Sequence, residues 1–591
     1  MHGQLMPVGN NSEKMNTHYT VEKHVQILIA LLKANNIRKI IASPGTTNIT
    51  FVASVQSDNY FEMYSAADER SAAYIACGLA AESGEPVVLS CTGATASRNY
   101  YPGLTEAYYR HLPILAVTAS QILSHTGGYF PQFIDRSVVA KDVVKHSVAI
   151  EPIDCPDDEW KVTNQINVAL LELFRNGGGP VHINCVTRYS KDFSVSELPN
   201  VRVIKRYLTR DELPKIPSGK IGIYVGSHPK WTDTLTAKVD KFCSVHNAVV
   251  FCDHTSNYKG KYKVLSSLFG SQDNFRSPLL DLDLLIHIGC VSGEYVKVQG
   301  KEVWRVNSDG ELRDVFGKTT AIFQMEEKEF FERYQEGIFA NDGFLKECHE
   351  VYEKIYQKIP ELPFSNIWCA KKISKLLPEN SVLHLGILNS LRSWNFFDIP
   401  NSVNVYSNVG GFGIDGNLSS LIGASLAAPE KIFFGIVGDL AFFYDMNSVG
   451  NRHVGNNVRI MLINNGRGTE FRNYNHPAQR FNDDADYYMA AAWHYGNKSQ
   501  ELVKNYAENL GYEYFSARNK DEFLLSVERF LTPEITANPM IFEVFTDSKD
   551  ESDALFAIRN IEKEATTGAK KLVKNVLGEK GIKFVKKIVG K

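Results

Sequence analysis

The sequence predicts an α/β protein made of three doubly wound parallel-sheet domains. Its 591 residues exceed what one hydrophobic core serves. Short β-branched runs alternate with longer stretches of helical periodicity from end to end, the rhythm of parallel βαβ units. Polar, proline-bearing segments at 194–217 and 360–363 cut that rhythm into three blocks.

The expected domains are residues 18–195, 200–345 and 364–550, followed by a tail at 551–591. In the first, a helix from His24 to Asn35 leads into a strand at Lys39 to Ala42 and the turn Ser43-Pro44-Gly45. A helix around Ser71 to Glu82 leads to a strand at Pro86 to Cys91, and further strands fall at Pro113 to Thr118 and Val181 to Cys185. The second has strands near Ile221 to Val225, Ala248 to Phe251, Leu284 to Ile288 and Val303 to Val306, then a helical connector from Phe344 to Ile359. The third has strands near Ser381 to Leu385, Val403 to Ser407, Ile432 to Val437, Arg459 to Ile463 and Met540 to Val544. The first and third blocks are alike in their βα rhythm.

Composition narrows the class. A formal net charge of −3 gives no global pull toward nucleic acid or anionic membrane. The nine cysteines are dispersed with no CxxC pair, the pattern of reduced thiols in a cytoplasmic protein. No apolar run reaches the ~18 residues that span a bilayer. The polar opening segment lacks signal-peptide order and reads as a loose leader. From Thr567 to Lys591, eight lysines face one glutamate, with apolar residues at roughly helical spacing. Two readings stand: a solvated helix packing on the protein or a partner subunit, or an amphipathic segment in weak contact with an anionic membrane face.

The chemistry concentrates in the third block. The apolar run Ile432 to Val437 ends in Gly438-Asp439-Leu440, and Asn465 follows Asp439 by 26 residues at the end of another apolar strand. Ligands of open parallel sheets bind at the carboxyl ends of strands, so neighbouring strands would bring Asp439 and Asn465 together. A hard cation takes such oxygens, with a backbone carbonyl and phosphate oxygens completing its shell. Gly438 lets backbone approach a diphosphate, and a helix near Tyr444 to Gly450 is expected to aim its amino end there. Gly-Asp and Asn-Asn-Gly are each common turns alone; their spacing in a βαβ setting carries the reading.

This pair resembles the diphosphate–Mg2+ motif of the thiamine-diphosphate-dependent enzymes of the decarboxylase and acetohydroxyacid synthase superfamily. The resemblance implies that group's fold, with pyrimidine-binding, central and diphosphate-binding domains. It implies thiamine diphosphate and Mg2+ as cofactors, with Asp439, Asn465 and the carbonyl of Arg467 as metal ligands. It makes Glu69, in Asp68-Glu69-Arg70-Ser71-Ala72-Ala73, the activating acid on the cofactor's pyrimidine, its pKa raised by burial; on its own this run is a helix-start cluster. By the family arrangement the centre is completed between two copies, so a homodimer or homotetramer is expected.

Within the superfamily the sequence is most similar to the menaquinone-pathway synthases, which add a decarboxylated 2-oxoglutarate unit to isochorismate. Ser43-Pro44-Gly45, Cys91-Thr92-Gly93, Tyr406-Ser407-Asn408 and Gly413-Ile414-Asp415-Gly416 carry that similarity. It places Thr92, Gly93, Asn389, Ser390, Ile414, Gly438, Leu440 and Ala441 at the cofactor, Ile414 as the wedge that bends it. It places Gln132 near the reacting carbon and Phe471 in the substrate cavity.

The sequence departs from those synthases where substrate carboxylates are expected to meet basic side chains. Thr47 stands for an arginine, Ser120-Gln121 for an Asp-Arg pair, Glu294-Tyr295 for a Lys-Arg pair, and Trp394 and Val409 for two further arginines. With Glu470 and Phe471, the expected pocket is aromatic and mildly acidic. The expected function is therefore a 2-oxo acid decarboxylase or carboligase, a lyase or transferase acting on C–C bonds, with small-molecule substrates and a neutral acceptor such as a sugar. The alternatives are the menaquinone-pathway synthase activity itself and a scaffold that keeps the cofactor fold without turnover. No Gly-rich dinucleotide turn falls between Ile221 and Phe323, so a flavin is not expected.

Overall fold

The computed structural model describes residues 17–136, 139–294, 298–337, 342–494 and 499–562. Tyr295 and the lysine-rich segment from Thr567 lie outside the described residues. The chain divides into two compact units, Met1–Arg206 with Thr320–Ile322, and Tyr207–Thr319 with Phe323–Lys591.

Three sheets carry the fold. The first holds β1 (Lys39–Ala42), β2 (Glu62–Ser65), β3 (Val87–Cys91), β4 (Ile114–Ser120), β5 (His146–Ile150) and β6 (Val181–Val186) in the order β2-β1-β3-β4-β6-β5. The second holds β7 (Lys205–Leu208), β8 (Ile221–Val225), β9 (Val249–Cys252), β10 (Lys263–Leu265), β11 (Asp281–Ile288), β12 (Gln299–Val306) and β13 (Thr319–Gln324) in the order β10-β9-β8-β11-β12-β13-β7. The third holds β14 (Val382–Leu385), β15 (Asn404–Tyr406), β16 (Phe433–Gly438), β17 (Val458–Asn464), β18 (Glu513–Ala517) and β19 (Met540–Phe545) in the order β15-β14-β16-β17-β19-β18. Pairing is parallel throughout the first and third sheets. Numbered within their own sheets, the first and third have one strand order, the structural form of the likeness in βα rhythm.

Central strands are covered by helices on both faces, so they bury every residue and read as unbroken apolar runs: β3, β4, β6 and β17 are buried from end to end. Of the unforeseen strands, β2, β5 and β18 lie at sheet edges with little full burial, which leaves them little apolar signal, while β10 and β13 are mostly buried and were not foreseen either. β7 lies in the segment expected as linker. The helix expected near Tyr444 starts at Asp439 itself and runs to Val449. A last helix, Ser548–Arg559, crosses position 551 and buries Glu551, Ala554 and Ile558.

Two packing details position the site. Helix Glu69–Ser83 starts at Asp68, whose carboxylate accepts the Arg70 N–H (3.0 Å), and crosses helix Tyr101–Tyr109 at Gly103. A Cβ at Gly103 would stand 2.5 Å from that of Ala73, so the close crossing needs glycine. In the second unit, Asn257 brackets Val405 with a donated (2.8 Å) and an accepted (2.7 Å) hydrogen bond, and the His254 ring bonds the Phe397 carbonyl (2.8 Å). These bonds join the loops after β9 to the third sheet.

Candidate active site

In the shared strand order, the chain leaves β1 and β3 toward opposite sides of the sheet, so a crevice opens at their carboxyl ends. In the first sheet it is bounded by Ser43 to Thr47 and by Thr92-Gly93. In the third it lies after β14 and β16, bounded by Gly386 to Asn389 and by Gly438-Asp439. Ala94 (φ 56°) and Leu388 (φ 67°) adopt left-handed backbone at these turns, conformations that cost a non-glycine residue ~1–3 kcal/mol and cluster at working sites.

The third-sheet crevice holds the expected oxygen donors. β16 and β17 pair with Gly438 opposite Ile463, which sets Asp439 beside the loop that starts at Asn465. The buried Asp439 carboxylate accepts the Leu440 N–H (2.7 Å) and the Gly466 N–H (2.5 Å). Burial pushes its pKa up to about 7, against the backbone N–H groups around it. Among the described residues no Lys or Arg pairs with it: the Arg467 guanidinium goes to Asp486 instead (2.6 Å). Asn465 lies on the same loop, its amide oxygen accepting the Thr469 hydroxyl (2.7 Å). A Cβ built at Gly438 would meet nothing within 4 Å, so the space above the turn is open. A buried carboxylate that no described Lys or Arg pairs, an amide oxygen on the adjoining loop and an open space at a helix amino end fit a divalent cation and a diphosphate.

The flanking residues are held from behind. Leu440 and Phe471 both crowd Gly468, which puts Phe471 over the loop after β17, while Ala441 is buried in the core of the third sheet. Ile414 packs partly buried against that same core, its carbonyl accepting from Asn417 (3.0 Å). Asn389 pairs through its amide with Glu470, donating to Oε2 (2.6 Å) and accepting the backbone N–H (3.2 Å). The Ser390 hydroxyl accepts from Asn366, whose N–H donates to both oxygens of the buried Glu551 (3.0 and 3.1 Å). Burial raises the Glu551 pKa to about 7, and the charge of Asp439 adds to that rise.

In the first unit, Thr47, Thr92, Gly93, Gln121 and Gln132 line one cleft of about 110 Å3, together with Ser120, Arg136 and Tyr189. The Thr47 hydroxyl donates to the Ala119 carbonyl (2.9 Å), accepts the Gly93 N–H (3.2 Å) and bonds the Thr92 hydroxyl. Gln132 has φ 68°, a strained backbone in the cleft wall. Glu69 opens its helix half-buried, close enough to Cys91 and Tyr100 that its charge helps raise both of their pKa values.

Other expected pocket residues lie differently. Trp394 is fully enclosed and Val409 is buried beside Gly293, so both are packed into the second unit rather than open to a cavity. Glu294 is buried against Ser266 (3.2 Å) and Ser267 (2.6 Å), and burial, with the Asp253 charge, raises its pKa to about 8. The expected acidity at Glu470 is corrected: Arg392 forms an ion pair with it (2.7 Å), and Asn473 donates to it as well (3.2 Å). Arg136, Arg392, Asn366 and Glu551 were not foreseen. None sits in a motif, and each reaches its partner through the fold.

The doubled parallel topology and the Asp439 and Asn465 oxygens at the strand tips fit a thiamine-diphosphate-dependent enzyme. Comparison with known proteins agrees: the family profile described as thiamine pyrophosphate enzyme, N-terminal TPP binding domain, matches residues 22–139. The 2-succinyl-5-enolpyruvyl-6-hydroxy-3-cyclohexene-1-carboxylate synthase of Bacteroides thetaiotaomicron is 30% identical over 567 residues, 91% of this chain and 98% of its own length. That of Bacteroides fragilis is 30% identical over 563 residues, with the same coverage, and that of Cytophaga hutchinsonii is 27% identical over 560 residues, 88% of this chain and 95% of its own. The chain belongs to this synthase family within the thiamine-diphosphate-dependent enzymes.

Proposed function

We propose that the protein is a thiamine diphosphate- and Mg2+-dependent enzyme that decarboxylates a 2-oxo acid and transfers the remaining acyl unit to an acceptor. The observation that carries this is the buried Asp439 carboxylate, which no described Lys or Arg pairs, beside the Asn465 loop and under the open space at Gly438. Asp439, Asn465 and the Arg467 carbonyl would hold Mg2+, and Gly438, Leu440 and the amino end of helix Asp439–Val449 would hold the diphosphate. Asn389, Ser390, Ala441 and Ile414 would seat the rest of the cofactor, with Thr92 and Gly93 on the pyrimidine side. When bound, thiamine diphosphate supplies an electron sink beside the substrate carbonyl. Glu69 would share a proton with the pyrimidine, and Gln132 would orient the substrate carbonyl. Assembly as a homodimer or homotetramer and a cytoplasmic location belong to the same proposal; among the described residues no helix is long and apolar enough to cross a membrane.

Two acceptor readings are separable. The shared name of the relatives supports the synthase reaction, with 2-oxoglutarate as donor and isochorismate as acceptor, and that support extends over nearly their whole length. A neutral acceptor such as a sugar is supported only by the uncharged cleft residues Thr47 and Gln121, since Trp394 and Val409 are packed away from any cavity, and the synthase reading is the better supported. Purified protein with thiamine diphosphate, Mg2+ and a panel of 2-oxo acids is expected to release carbon dioxide, and adding isochorismate or an aldose decides the acceptor by product mass. Cofactor binding without turnover on any oxo acid would instead mark a scaffold and overturn the proposal.

A further inference from the structure

The cleft of the first unit is lined by hydroxyls, amides and apolar groups, and Arg136 is the one charged side chain among its described lining residues. The guanidinium is held from behind by neutral partners. Its Nε donates to the Ser97 hydroxyl (3.1 Å) and one Nη1 hydrogen to the Asn184 amide oxygen (3.1 Å). Asn184 is itself fixed: its NH2 donates to Ser120 Oγ (2.9 Å), and its oxygen also accepts the Thr118 hydroxyl (3.0 Å). Because Thr118 spends its proton there, His182 Nε2 must donate to Thr118 (2.8 Å), and Ser147 then donates to Nδ1 (2.8 Å). The chain of bonds from Ser147 to Arg136 is closed and directional.

Among the described residues nothing in this surround offsets the positive charge. Burial, helped by the Arg136 charge, drives His182 down to about 4, so it is neutral; burial pushes the Cys91 thiol up to about 12, so it is neutral too. Arg98 adds charge of the same sign, and among the described residues no carboxylate pairs with Arg136. Nη2 lies where a side chain at position 93 would stand, 2.2 Å from an ideal Cβ, so Gly93 is what admits the guanidinium to the cleft wall. Two of its five N–H groups are used, leaving three in a planar fork, the geometry that takes a carboxylate two-pronged. A half-buried cation without an anion is costly unless a ligand supplies one.

We propose that Arg136 is the anion handle of the substrate cleft, gripping a carboxylate-type group of the substrate other than the one lost as carbon dioxide. A guanidinium on the departing carboxylate would stabilise the charge that must leave and so raise the barrier, whereas one on a spectator anion binds ground and transition states alike. This rests on the decarboxylase or carboligase reading above and adds the residue that selects the substrate's charge.

The test uses the holoenzyme and matched substrate pairs. On the donor side, 2-oxoglutarate is compared with 2-oxovalerate, which has the same chain without the second carboxylate. On the acceptor side, a carboxylated acceptor is compared with its amide. Arg136→Gln is expected to lower kcat/KM ~30-fold or more for the carboxylated member of one pair and under ~threefold for its neutral partner, with Arg136→Lys recovering part. The affected pair identifies which substrate bears the anion. Equal losses across both pairs would show a merely structural residue, and no loss anywhere would equally overturn the proposal. Should the wild type turn over no oxo acid, the function fails but the handle is still testable: glutarate, and not its uncharged diamide, should raise the wild-type Tm and leave that of Arg136→Gln unmoved. Identical shifts in both proteins would sink it.

Discussion

Gly438→Ala separates the fold from the cofactor at one atom. Gly438 precedes helix Asp439–Val449 with φ −76° and ψ 165°, backbone that any residue adopts, and an added Cβ touches nothing within 4 Å. Two small effects on stability oppose each other. Removing glycine freedom from the unfolded chain gains about 0.4–1 kcal/mol, and alanine is the poorer helix cap by about as much. The net change in a urea titration should stay within ~1 kcal/mol. The methyl group nevertheless fills the space assigned to the diphosphate. Overpacking a filled site costs about 1–3 kcal/mol, which weakens cofactor affinity between ~5- and ~150-fold. Calorimetric titration of thiamine diphosphate in saturating Mg2+ reads the second number directly. An affinity within twofold of wild type would show that no phosphate lies over Gly438, and a loss of more than ~2 kcal/mol in the apo fold would show that the space is not open.

The buried carboxylate gives a pH prediction. The Asp439 pKa stands at about 7 in the fold against an ordinary 3.8, so its stabilising contribution is complete below about 3.8 and lost as pH rises through about 7. That difference corresponds to about 4 kcal/mol, and a cation that replaces the proton recovers it. Mg2+ affinity in the presence of cofactor should therefore rise about tenfold per pH unit up to neutrality and then level off; a flat profile contradicts the assignment. Glu69→Gln should cut carbon dioxide release ~100-fold or more while thiamine diphosphate still binds and the Tm stays put; retained turnover removes Glu69 from the chemistry. Arg392→Met leaves Glu470 to Asn389 and Asn473 alone, a loss of ~2 kcal/mol after allowance for its partial exposure, read by urea denaturation. No loss there would mean that the two amides suffice.

What was legible in the chain was whatever local chemistry dictates. The run Ile221–Val225 reads to the residue because it is apolar, β-branched and bounded by glycine turns. The meeting of Asp439 and the Asn465 loop at neighbouring strand tips was readable because a polar residue at the end of an apolar strand points to the carboxyl edge of a sheet. The start of helix Asp439–Val449 was placed too late because Leu440-Ala441-Phe442-Phe443 is apolar on every side and carries no helical stripe. Glu470 looked like pocket acidity because its counter-ion lies 78 residues away, at Arg392, and only the fold joins them. Arg136 was invisible for the same reason: Asn184 and Ser97 reach it from separate strands and helices, and an arginine four residues after Gln132 is an ordinary solvated residue until its surround is known.

The common strand order of the first and third sheets explains why two such sites exist. A doubly wound sheet makes one crevice at the tips of its first and third strands, whatever residues are there, so a fold built twice on this plan has two. After β16 the turn carries Gly438-Asp439; after β3, at the same place in the plan, it carries Thr92-Gly93. After β17 comes Asn465; after β4, Gln121. In the third sheet the buried group is an anion with no cation among the described residues, while in the first it is a cation with no anion. Each half carries a charge that its own fold leaves uncompensated, and a ligand of opposite sign removes the penalty in each. Metal with diphosphate should therefore stabilise through Asp439 and an organic anion through Arg136. Their gains in Tm should be lost independently in Asp439→Asn and Arg136→Gln; loss of both gains in either variant would mean that the two crevices do not bind separately.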